Sequence, residues 1–439
     1  MEGQISDAIL DELVADAAAR PVPELTERSI RLAMLPGKAD VVVGMRRSGK
    51  TYLLLQHLRA LLAAGVSRAQ TLHVSFEDER LQPMTTADLS RLMDAFYRSD
   101  PKARAGEIWL LFDEIQNVPG WERFVRRLLD EGRARFVLTG SSAKLLSKEI
   151  ATSLRGRSIA TEVLPFSFEE FVRHSGRELP VRWPPPAPKR AELEQALAGY
   201  LDVGGFPEVQ RLDDETRARV LQEYVDVVLF RDVVERHHLS NTVALRQLVR
   251  RLLRSPAGKF SVHRVHGDMR SQGVEIGKES VHEMLAHLED AYLLFTVAID
   301  ATSERRRASN PRKVYLVDPA LARAVTVRGD VDVGHRLENL VYLELRRRGG
   351  EIAYHVTDSG REIDFVVERR DRDAELVQVT TSLRDPKTRA REVDALEEAL
   401  RAGRAPSGTI VTLHEMENLN LGDRPVRVVP AWRWLAERG

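Results

Sequence analysis

One glycine-rich segment constrains the fold of this chain more than any other feature. It stands between an apolar run and the helical pattern TYLLLQHLRALLA, and its residues are Gly44, Met45, Arg46, Arg47, Ser48, Gly49, Lys50, Thr51 and Tyr52. Glycines let such a loop wrap closely, so that backbone N–H groups and the N-terminus of the following helix face phosphate oxygens. A chance glycine loop is the alternative, but a strand, this loop and a helix in that order predict a nucleotide-binding α/β domain.

Four side chains are expected to carry the chemistry of this site. Lys50 should reach the β- and γ-phosphates of a nucleotide, and Thr51 should offer its hydroxyl to Mg²⁺. A second apolar run, Ile108–Asp113, delivers the adjacent carboxylates Asp113 and Glu114. Because ligands of open α/β sheets bind at the carboxyl edge of the strands, we expect Asp113 to hold Mg²⁺ and Glu114 to act as general base on water. Two adjacent acids are a weak signal alone, but combined with the glycine-rich segment they predict binding and hydrolysis of ATP.

The chain is long enough for several domains, since its 439 residues exceed the usual size of one. From about residue 37 to 165, short apolar runs alternate with helical patterns, which is typical of a parallel sheet covered on both faces. The strands predicted there are Ala39–Val43, Thr71–Phe76, Ile108–Asp113, Arg135–Thr139 and Ser158–Leu164. The predicted domains are a nucleotide-binding core with an N-terminal helix (1–165), a helical lid or linker (166–240), a winged-helix domain (241–330) and a second α/β domain (331–439).

Composition excludes several classes of protein and site. The chain has no cysteine, which removes disulfides and thiolate zinc sites and fits a reducing compartment. No stretch approaches the roughly 18 uncharged apolar residues of a membrane helix, and the N-terminus lacks the pattern of a signal peptide. We therefore expect a cytoplasmic protein without a membrane role. Lys and Arg together balance Asp and Glu at 66 each, so any contact with nucleic acid must come from a local basic patch.

Two further segments extend the nucleotide-site pattern. FVLTGSS ends the fourth predicted strand, and SLRGRSIATEV leads into the fifth. With the glycine-rich segment and the paired acids, they resemble AAA-type ATPases, which place a polar sensor after the fourth strand and an arginine just before the fifth. The resemblance implies Ser141 as sensor, with Ser142 as alternative, and Arg157 as arginine finger, with Arg155 as alternative. A finger acts on nucleotide held by a neighbouring subunit, so a homo-oligomer such as a ring is implied; a plain surface charge is the other reading.

The wider pattern resembles one prokaryotic family of AAA+ ATPases. Its motifs here, between about residues 25 and 415, are GMRRSGKT, LLFDEIQNVPGWERFV, LTGSSAKLL, LRGRS, LPFSFEEF, GGFPEV, RKVYLVDPAL, HRLENLVYLEL and GREIDFVV. The resemblance implies a P-loop AAA+ parallel sheet with a helical lid, then a winged helix, then a C-terminal domain of unknown function with a restriction-endonuclease-like α/β fold. Members are predicted ATPases that contact DNA, so ATP and Mg²⁺ are the implied cofactors and DNA the implied partner.

A helix-turn-helix is predicted within Phe260–Thr296, with its second helix starting near Gly277. Basic and polar residues near that start and in the following segment are candidate contacts to DNA phosphates or bases. These candidates are Lys278, Ser280, His282, Arg305, Arg306, Arg307, Arg312 and Lys313, the last five being expected on an exposed wing. In the alternative reading, the fold packs against a protein and the arginines belong to an exposed loop.

The last domain carries an incomplete nuclease pattern. A PD-(D/E)xK nuclease holds Mg²⁺ with two carboxylates and orients water with a lysine. Glu338 and Asp364 fall at the acidic positions, but Gln378 and Thr380 stand where a further acid and the lysine would be. A neutral amide ligates Mg²⁺ poorly and no ammonium remains, so we expect a vestigial site without cleavage. Glu338 and Asp364 could instead cap helices or pair with arginines such as Arg361.

Three functions are compatible with these features. The first is an oligomeric ATPase that binds or remodels DNA, for which ATP turnover should respond to DNA. The second is a nucleotide switch that gathers a protein partner and is indifferent to DNA. The third is a nuclease gated by ATP, which Gln378 and Thr380 disfavour and which Mg²⁺-dependent nicking lost in Asp364→Ala would support.

Overall fold

The structure is a computed structural model that describes residues 5–140, 154–180, 183–301, 303–309, 311–325 and 332–437. The chain packs into two compact units, Met1–Leu164 and Pro165–Gly439. Within the described ranges, none of the helices combines the length and the apolar character that a bilayer-spanning segment needs.

The first unit is a parallel sheet with helices on both faces. Its elements are α1 (Asp7–Ala19), β1 (Ala39–Val43), α2 (Lys50–Ala63), β2 (Thr71–Ser75), α3 (Thr86–Ser99), α4 (Pro101–Ala105), β3 (Ile108–Asp113), α5 (Trp121–Asp130), β4 (Ala134–Gly140) and β5 (Ser158–Glu162). The strand order is β2-β3-β4-β1-β5, and every neighbouring pair is parallel. The five predicted strands are confirmed to within two residues at each end, and the predicted N-terminal helix is α1.

Strand β1 lies in the interior of this sheet, between β4 and β5, and its sequence suits a strand covered on both faces. ADVVV is buried along its whole length, as expected for a central parallel strand. The acid within it, Asp40, is satisfied locally, since its carboxylate accepts hydrogen bonds from the backbone N–H groups of Ala33 (2.8 Å) and Met34 (3.0 Å). The order of strands brings the carboxyl ends of β1, β3 and β4 to one edge of the sheet.

The second unit contains helices and two sheets. Its first elements are α6 (Phe168–His174), α7 (Ala187–Val203), α8 (Asp214–Val227), a π-helix (Val228–Glu235), α9 (Thr242–Leu253), β6 (Lys259–Phe260), α10 (Val262–Ser271), α11 (Lys278–Asp290), β7 (Leu294–Val297), α12 (Glu304–Ser309) and β8 (Arg312–Leu316). Strands β6, β8 and β7 form an antiparallel sheet in that order. The helices predicted between residues 166 and 240 are α6, α7, α8 and the π-helix.

A mixed six-stranded sheet completes the second unit. The remaining elements are α13 (Val333–Arg348), β9 (Glu351–Val356), β10 (Glu362–Arg369), β11 (Arg372–Val379), α14 (Pro386–Arg401), β12 (Gly408–Thr412), β13 (Glu417–Leu421), β14 (Arg424–Pro430) and α15 (Ala431–Ala436). The strand order is β13-β14-β12-β11-β10-β9. Apolar residues of β10, β11, β12 and α14 form one buried cluster beneath this sheet. The boundaries proposed at residues 240 and 330 fall inside the second unit and stay predictions.

The turn after α7 is fixed by a buried carboxylate. Gly204 ends the helix with φ of 77°, and the next two N–H groups, of Gly205 and Phe206, donate to Asp318 Oδ2 at 2.6 and 3.2 Å. The other oxygen of Asp318 accepts from the Ala320 N–H at 2.9 Å. Burial raises the pKa of Asp318 to about 6, and the backbone donors oppose that rise. Asp318 thus anchors the turn after α7 to the segment that follows β8.

Candidate functional site

The glycine-rich loop follows β1 at the carboxyl edge of the first unit's sheet. Backbone angles in it suit glycine, since Gly44 and Gly49 have φ of 150° and 100°. A Cβ atom at Gly44 would lie 2.2 Å from the Val163 carbonyl oxygen, because the Val163 N–H pairs with the Val43 carbonyl oxygen at 2.7 Å. The approach of this neighbouring backbone excludes any side chain at position 44.

Lys50 is buried at the start of α2. Its Nζ donates to the carbonyl oxygens of Gly44 (3.1 Å) and Met45 (3.2 Å), and it lies 3.7 Å from Glu114 Oε1. The ammonium therefore lies among oxygen atoms of the loop and beside a carboxylate. Phosphate oxygens offer the same kind of acceptor to this donor.

The carboxylate of Asp113 joins two neighbouring segments. Thr51 Oγ1 donates to Asp113 Oδ2 at 2.7 Å, and Thr139 Oγ1 donates to Oδ1. Burial raises the pKa of Asp113, whereas the hydrogen bonds from Thr139 and Thr51 lower it. The hydroxyl of Thr51 and the carboxylate of Asp113 are hard oxygen donors held side by side, which suits Mg²⁺.

Glu114 adopts a conformation that a non-glycine residue rarely takes. Its φ is 54°, and its backbone N–H donates to Thr139 Oγ1 at 2.9 Å. The Gln116 side chain donates to Glu114 Oε2, while Lys50 lies on the side of the other oxygen. Such left-handed residues cost of order 1 kcal/mol and persist where the surroundings hold them. The surroundings therefore orient this carboxylate toward the loop.

Two residues in this region were not predicted from the sequence. Thr139 is fully buried and contacts both acids. The sequence feature that could have identified it is its position at the end of β4, the strand that pairs with β3. The side chain of Arg28 is also buried and donates to the carbonyl oxygens of Ser48 (2.9 Å) and Leu164 (2.6 Å). Arg28 lies in the unpatterned segment before β1, so no motif marks it.

The other residues of the glycine-rich segment have different surroundings. Met45 and Ser48 are fully buried, and Arg46 forms an ion pair with Glu77 at 2.9 Å. The Tyr52 side chain is exposed. Ser141, the predicted sensor, lies outside the described residues, as does its alternative. Within the described part, Thr139 is the polar residue of β4 that reaches the acids.

Arg157 lies at the opposite edge of the sheet. It directly precedes β5, at the amino end of that strand, and forms an ion pair with Asp130 at the end of α5. A surface pocket of about 500 Å³ surrounds it, lined by Arg123, Arg126, Arg127, Asp130, Glu131, Arg155 and Arg157. The five residues of β5 span roughly 16 Å, so Arg157 is remote from the glycine-rich loop of its own chain.

The residues proposed for DNA contact do not form one uniform exposed group. Lys278, His282, Arg305, Arg306 and Arg312 are exposed, and Ser280 is partly buried. Residues 304–309 form the short helix α12 in the predicted wing. Arg307 turns inward, because its Nε donates to the Ala301 carbonyl oxygen at 2.8 Å.

The expectation that Lys313 lies on an exposed wing is wrong. Its side chain is 3% exposed, and its Nζ lies 2.7 Å from Glu338, 2.8 Å from Glu362 and 2.9 Å from Asp364. Burial lowers the pKa of Lys313, but Asp364 and its other anionic neighbours outweigh this effect and raise it well above the ordinary value. Lys313 is therefore not available to a phosphate.

The sequence predicted a vestigial nuclease site partly because no ammonium was expected beside its acids, and this reason is wrong. An ammonium does lie between Glu338 and Asp364, but β8 supplies it rather than the strand that carries Gln378. Gln378 is buried, with its oxygen accepting from the Asp364 N–H at 3.2 Å and its nitrogen donating to Glu392. Thr380 does not join this group, since its hydroxyl faces the Ser382 carbonyl oxygen at 3.4 Å.

Comparison with known families identifies three segments in order. The family described as "AAA domain" matches residues 37–172. Residues 194–332 and 333–434 match two families described as "Domain of unknown function", DUF8612 and DUF4143. The first match contains the glycine-rich loop, both acids and Thr139.

Two solved structures are similar over much of the chain at low scores. The Aeropyrum pernix ORC1 protein in complex with DNA shares 16% identity, with 72% of this chain and 89% of that chain covered and a TM-score of 0.29. AMPPCP-bound DnaA from Aquifex aeolicus shares 16% identity over 66% of this chain and 89% of that chain, with a TM-score of 0.24. Scores of this size support no inference on function.

Two relatives match much of the sequence. An uncharacterised protein of Haemophilus influenzae is 28% identical over 75% of this chain and 80% of its own length. An uncharacterised protein of Methanocaldococcus jannaschii is 34% identical over 98% of this chain and 94% of its own length. The chain therefore belongs to the family of this archaeal protein, and its own sequence carries an AAA domain followed by two domains of unknown function.

Proposed function

We propose that the chain binds ATP with Mg²⁺ and hydrolyses it. The observation that carries the proposal is the group formed by Lys50, Thr51, Asp113, Glu114 and Thr139 at the carboxyl edge of one parallel sheet. A basic group, a hydroxyl and two carboxylates at that edge, beside a glycine loop, form the set of groups that phosphoryl transfer to water needs.

Each side chain has a distinct part in this proposal. The loop amides and Lys50 bind the phosphates, and Lys50 exchanges its present carbonyl acceptors for phosphate oxygens. Thr51 and Asp113 would hold Mg²⁺, which supplies charge neutralisation on the β- and γ-phosphates. Glu114, oriented by Gln116, takes the proton of the attacking water. Thr139 fixes the positions of Asp113 and Glu114 through its hydroxyl group.

The position of Arg157 supports an oligomeric form as a further part of the proposal. An arginine at the amino edge of the sheet cannot reach the nucleotide of its own chain, but it can serve the nucleotide of a neighbouring copy. Five arginines line the pocket at this edge. A surface with so many cations suits the binding of a negatively charged group, such as the nucleotide of a neighbouring subunit. The active form proposed is therefore a homo-oligomer in which Arg157 acts between subunits.

Contact with DNA is the second part of the proposal. The succession α9, β6, α10, α11, β7 and β8, with the sheet order β6-β8-β7, supports a winged helix. Exposed cations on α11 and α12 offer phosphate contacts, namely Lys278, Arg305 and Arg306. The DNA-contacting group no longer includes Lys313.

Substitution of Lys50 and Glu114 should separate binding from hydrolysis. Lys50→Ala removes a charged hydrogen bond worth about 1.5–3 kcal/mol, so ATP affinity should fall by about 10- to 100-fold. Glu114→Gln keeps the shape of the site but removes the base, so binding should persist while turnover stops. Titration with a fluorescent ATP analogue and phosphate release measure the two effects. Equal loss of affinity in both variants contradicts these roles.

Thr139 provides a test that does not depend on the sequence motifs. Thr139→Val keeps the volume but removes the hydroxyl that pairs with Asp113 Oδ1 and with the Glu114 N–H, while Thr51 still donates to Asp113 Oδ2. Leaving these two buried groups unpaired costs about 1–3 kcal/mol. We expect kcat to fall by about 10- to 100-fold, whereas Thr139→Ser should stay near the wild-type rate because it keeps the hydroxyl. Steady-state phosphate release at saturating ATP is the measurement. Similar rates in the Val and Ser variants exclude this role for Thr139.

A mixing experiment tests the action of Arg157 between subunits. Arg157→Ala and Lys50→Ala should each be inactive alone, because one lacks the finger and the other the phosphate contact. Random co-assembly restores a complete interface at about a quarter of the sites, so the mixture should regain about a quarter of wild-type turnover. Arg155→Ala serves as the matched control and should be active alone. Failure of the mixture to regain turnover removes the assignment.

DNA binding should depend on the exposed cations of α11 and α12. The double variant Lys278→Ala, Arg305→Ala should bind duplex DNA more weakly, and the slope of log affinity against log salt should fall by about 2. The control is the double variant Arg384→Ala, Arg401→Ala, which removes two positive charges outside α11 and α12 and should leave DNA binding unchanged. Fluorescence anisotropy of labelled DNA measures both. If duplex, forked and single-stranded DNA all fail to bind the wild type at low salt, the DNA part is wrong and a protein partner is favoured.

A further inference from the structure

The acidic centre of the second unit already contains a cation, and it is a side chain of the same chain. Lys313 on β8 places its Nζ within 2.9 Å of carboxylate oxygens from Glu338 on α13 and from Glu362 and Asp364 on β10. The Tyr315 hydroxyl adds a hydrogen bond to Glu338 at 2.8 Å. A single ammonium thus bridges three acids from two elements of the C-terminal fold.

This arrangement resembles the oxygen shell of a divalent cation more than an ordinary ion pair. Carboxylate oxygens from separate side chains converge on one point, as they do around Mg²⁺ or Ca²⁺. Without a cation, buried like charges so close together would be strongly unfavourable, because desolvation and repulsion act in the same direction. The acids therefore need a central positive charge, and Lys313 provides it.

The residues present do not fit a metal in addition to this ammonium. The point between Glu338 and Asp364 is filled by the Lys313 Nζ. Asp364 Oδ2, the oxygen not bound to Lys313, accepts from the Val379 N–H at 2.9 Å. The oxygen of the Gln378 amide is engaged by the Asp364 N–H, so it is not offered to an ion.

We propose that Lys313 is a built-in counter-cation that takes the place of a divalent metal in the acidic centre, closing a cation site that the C-terminal fold would otherwise present. The Lys313 ammonium excludes hard metal ions that bind oxygen ligands, such as Mg²⁺ and Mn²⁺. The second unit then needs no metal for its stability, and a phosphodiester cannot reach Lys313 because the side chain is enclosed.

The strand that carries Lys313 is held at several points, so the ammonium cannot readily withdraw. The Asn339 side chain pairs with both backbone groups of Leu316, each at 2.8 Å. The Tyr354 hydroxyl donates to the Pro311 carbonyl oxygen at 2.6 Å, and the Tyr315 and Tyr342 rings stack 4.2 Å apart. β8 is thereby tied to α13 and β9, on both sides of the acidic centre.

Mn²⁺ titration of the full-length, nucleotide-free chain tests the proposal. Wild type and Asp364→Asn should bind the same number of Mn²⁺ ions by electron paramagnetic resonance, because the acidic centre takes none. Lys313→Ala should bind about one more ion per chain, and Lys313→Ala with Asp364→Asn should lose it again. Any Mn²⁺ at Asp113 is common to all variants and cancels in the comparison.

Lys259→Ala is the matched control, since Lys259 also pairs with Glu362 but is half-exposed at the rim of the cluster. It should gain no ion. The proposal is overturned if Asp364→Asn costs the wild type an ion, if folded Lys313→Ala gains none, or if the wild type nicks DNA with Mn²⁺ and Asp364→Asn abolishes nicking. If Lys313→Ala does not fold, the comparison of Mn²⁺ binding between wild type and Asp364→Asn still tests the proposal. Because this titration is done without nucleotide, a failure of ATP binding at Lys50 would not change the number of Mn²⁺ ions expected.

Discussion

The buried carboxylate of Asp113 is the constraint on which the candidate site depends. Its two oxygens accept from Thr51, which follows the loop after β1, and from Thr139, which ends β4. Leaving a buried acceptor of this kind unsatisfied costs about 1–3 kcal/mol, so the three segments cannot shift independently. The parallel strand order makes this possible, because it brings the carboxyl ends of β1, β3 and β4 to one edge. The ATPase proposal follows from that shared edge.

The second unit also contains clustered acids, but their charge is compensated differently. Its acids Glu338, Glu362 and Asp364 also converge, but an ammonium from β8 neutralises them. In the first unit Asp113 accepts from two hydroxyl groups and Glu114 from the Gln116 amide, and both acids lie at an edge of the sheet beside the glycine-rich loop. In the second unit Glu338 and Asp364 are buried, Glu362 is partly exposed, and one ammonium of the same chain neutralises all three. Two acidic centres in one chain thus differ in chemistry because of what each neighbouring strand supplies.

Prediction from sequence succeeded where the signal is local. The glycine loop, the apolar runs and the helix after the loop are contiguous patterns, and the five strands around them are confirmed. It failed where the partner is distant in the chain. Lys313 reads as one cation in a basic run, although it is buried against residues 25 and more positions away. Thr139 reads as an ordinary strand residue until the pairing of β3 with β4 sets it beside Asp113.

The sequence alone determined the parallel sheet of the first unit, the position of the glycine-rich loop, and the identity of Lys50, Thr51, Asp113 and Glu114 as the residues of interest. It could do so because loop chemistry and strand periodicity are set by neighbours along the chain. Only the tertiary structure decided that Thr139 and Arg28 brace that site, that Arg157 lies at the far edge, and that Lys313 closes the acidic centre. These depend on strand register and on burial, which arise from contacts between segments that no local pattern encodes.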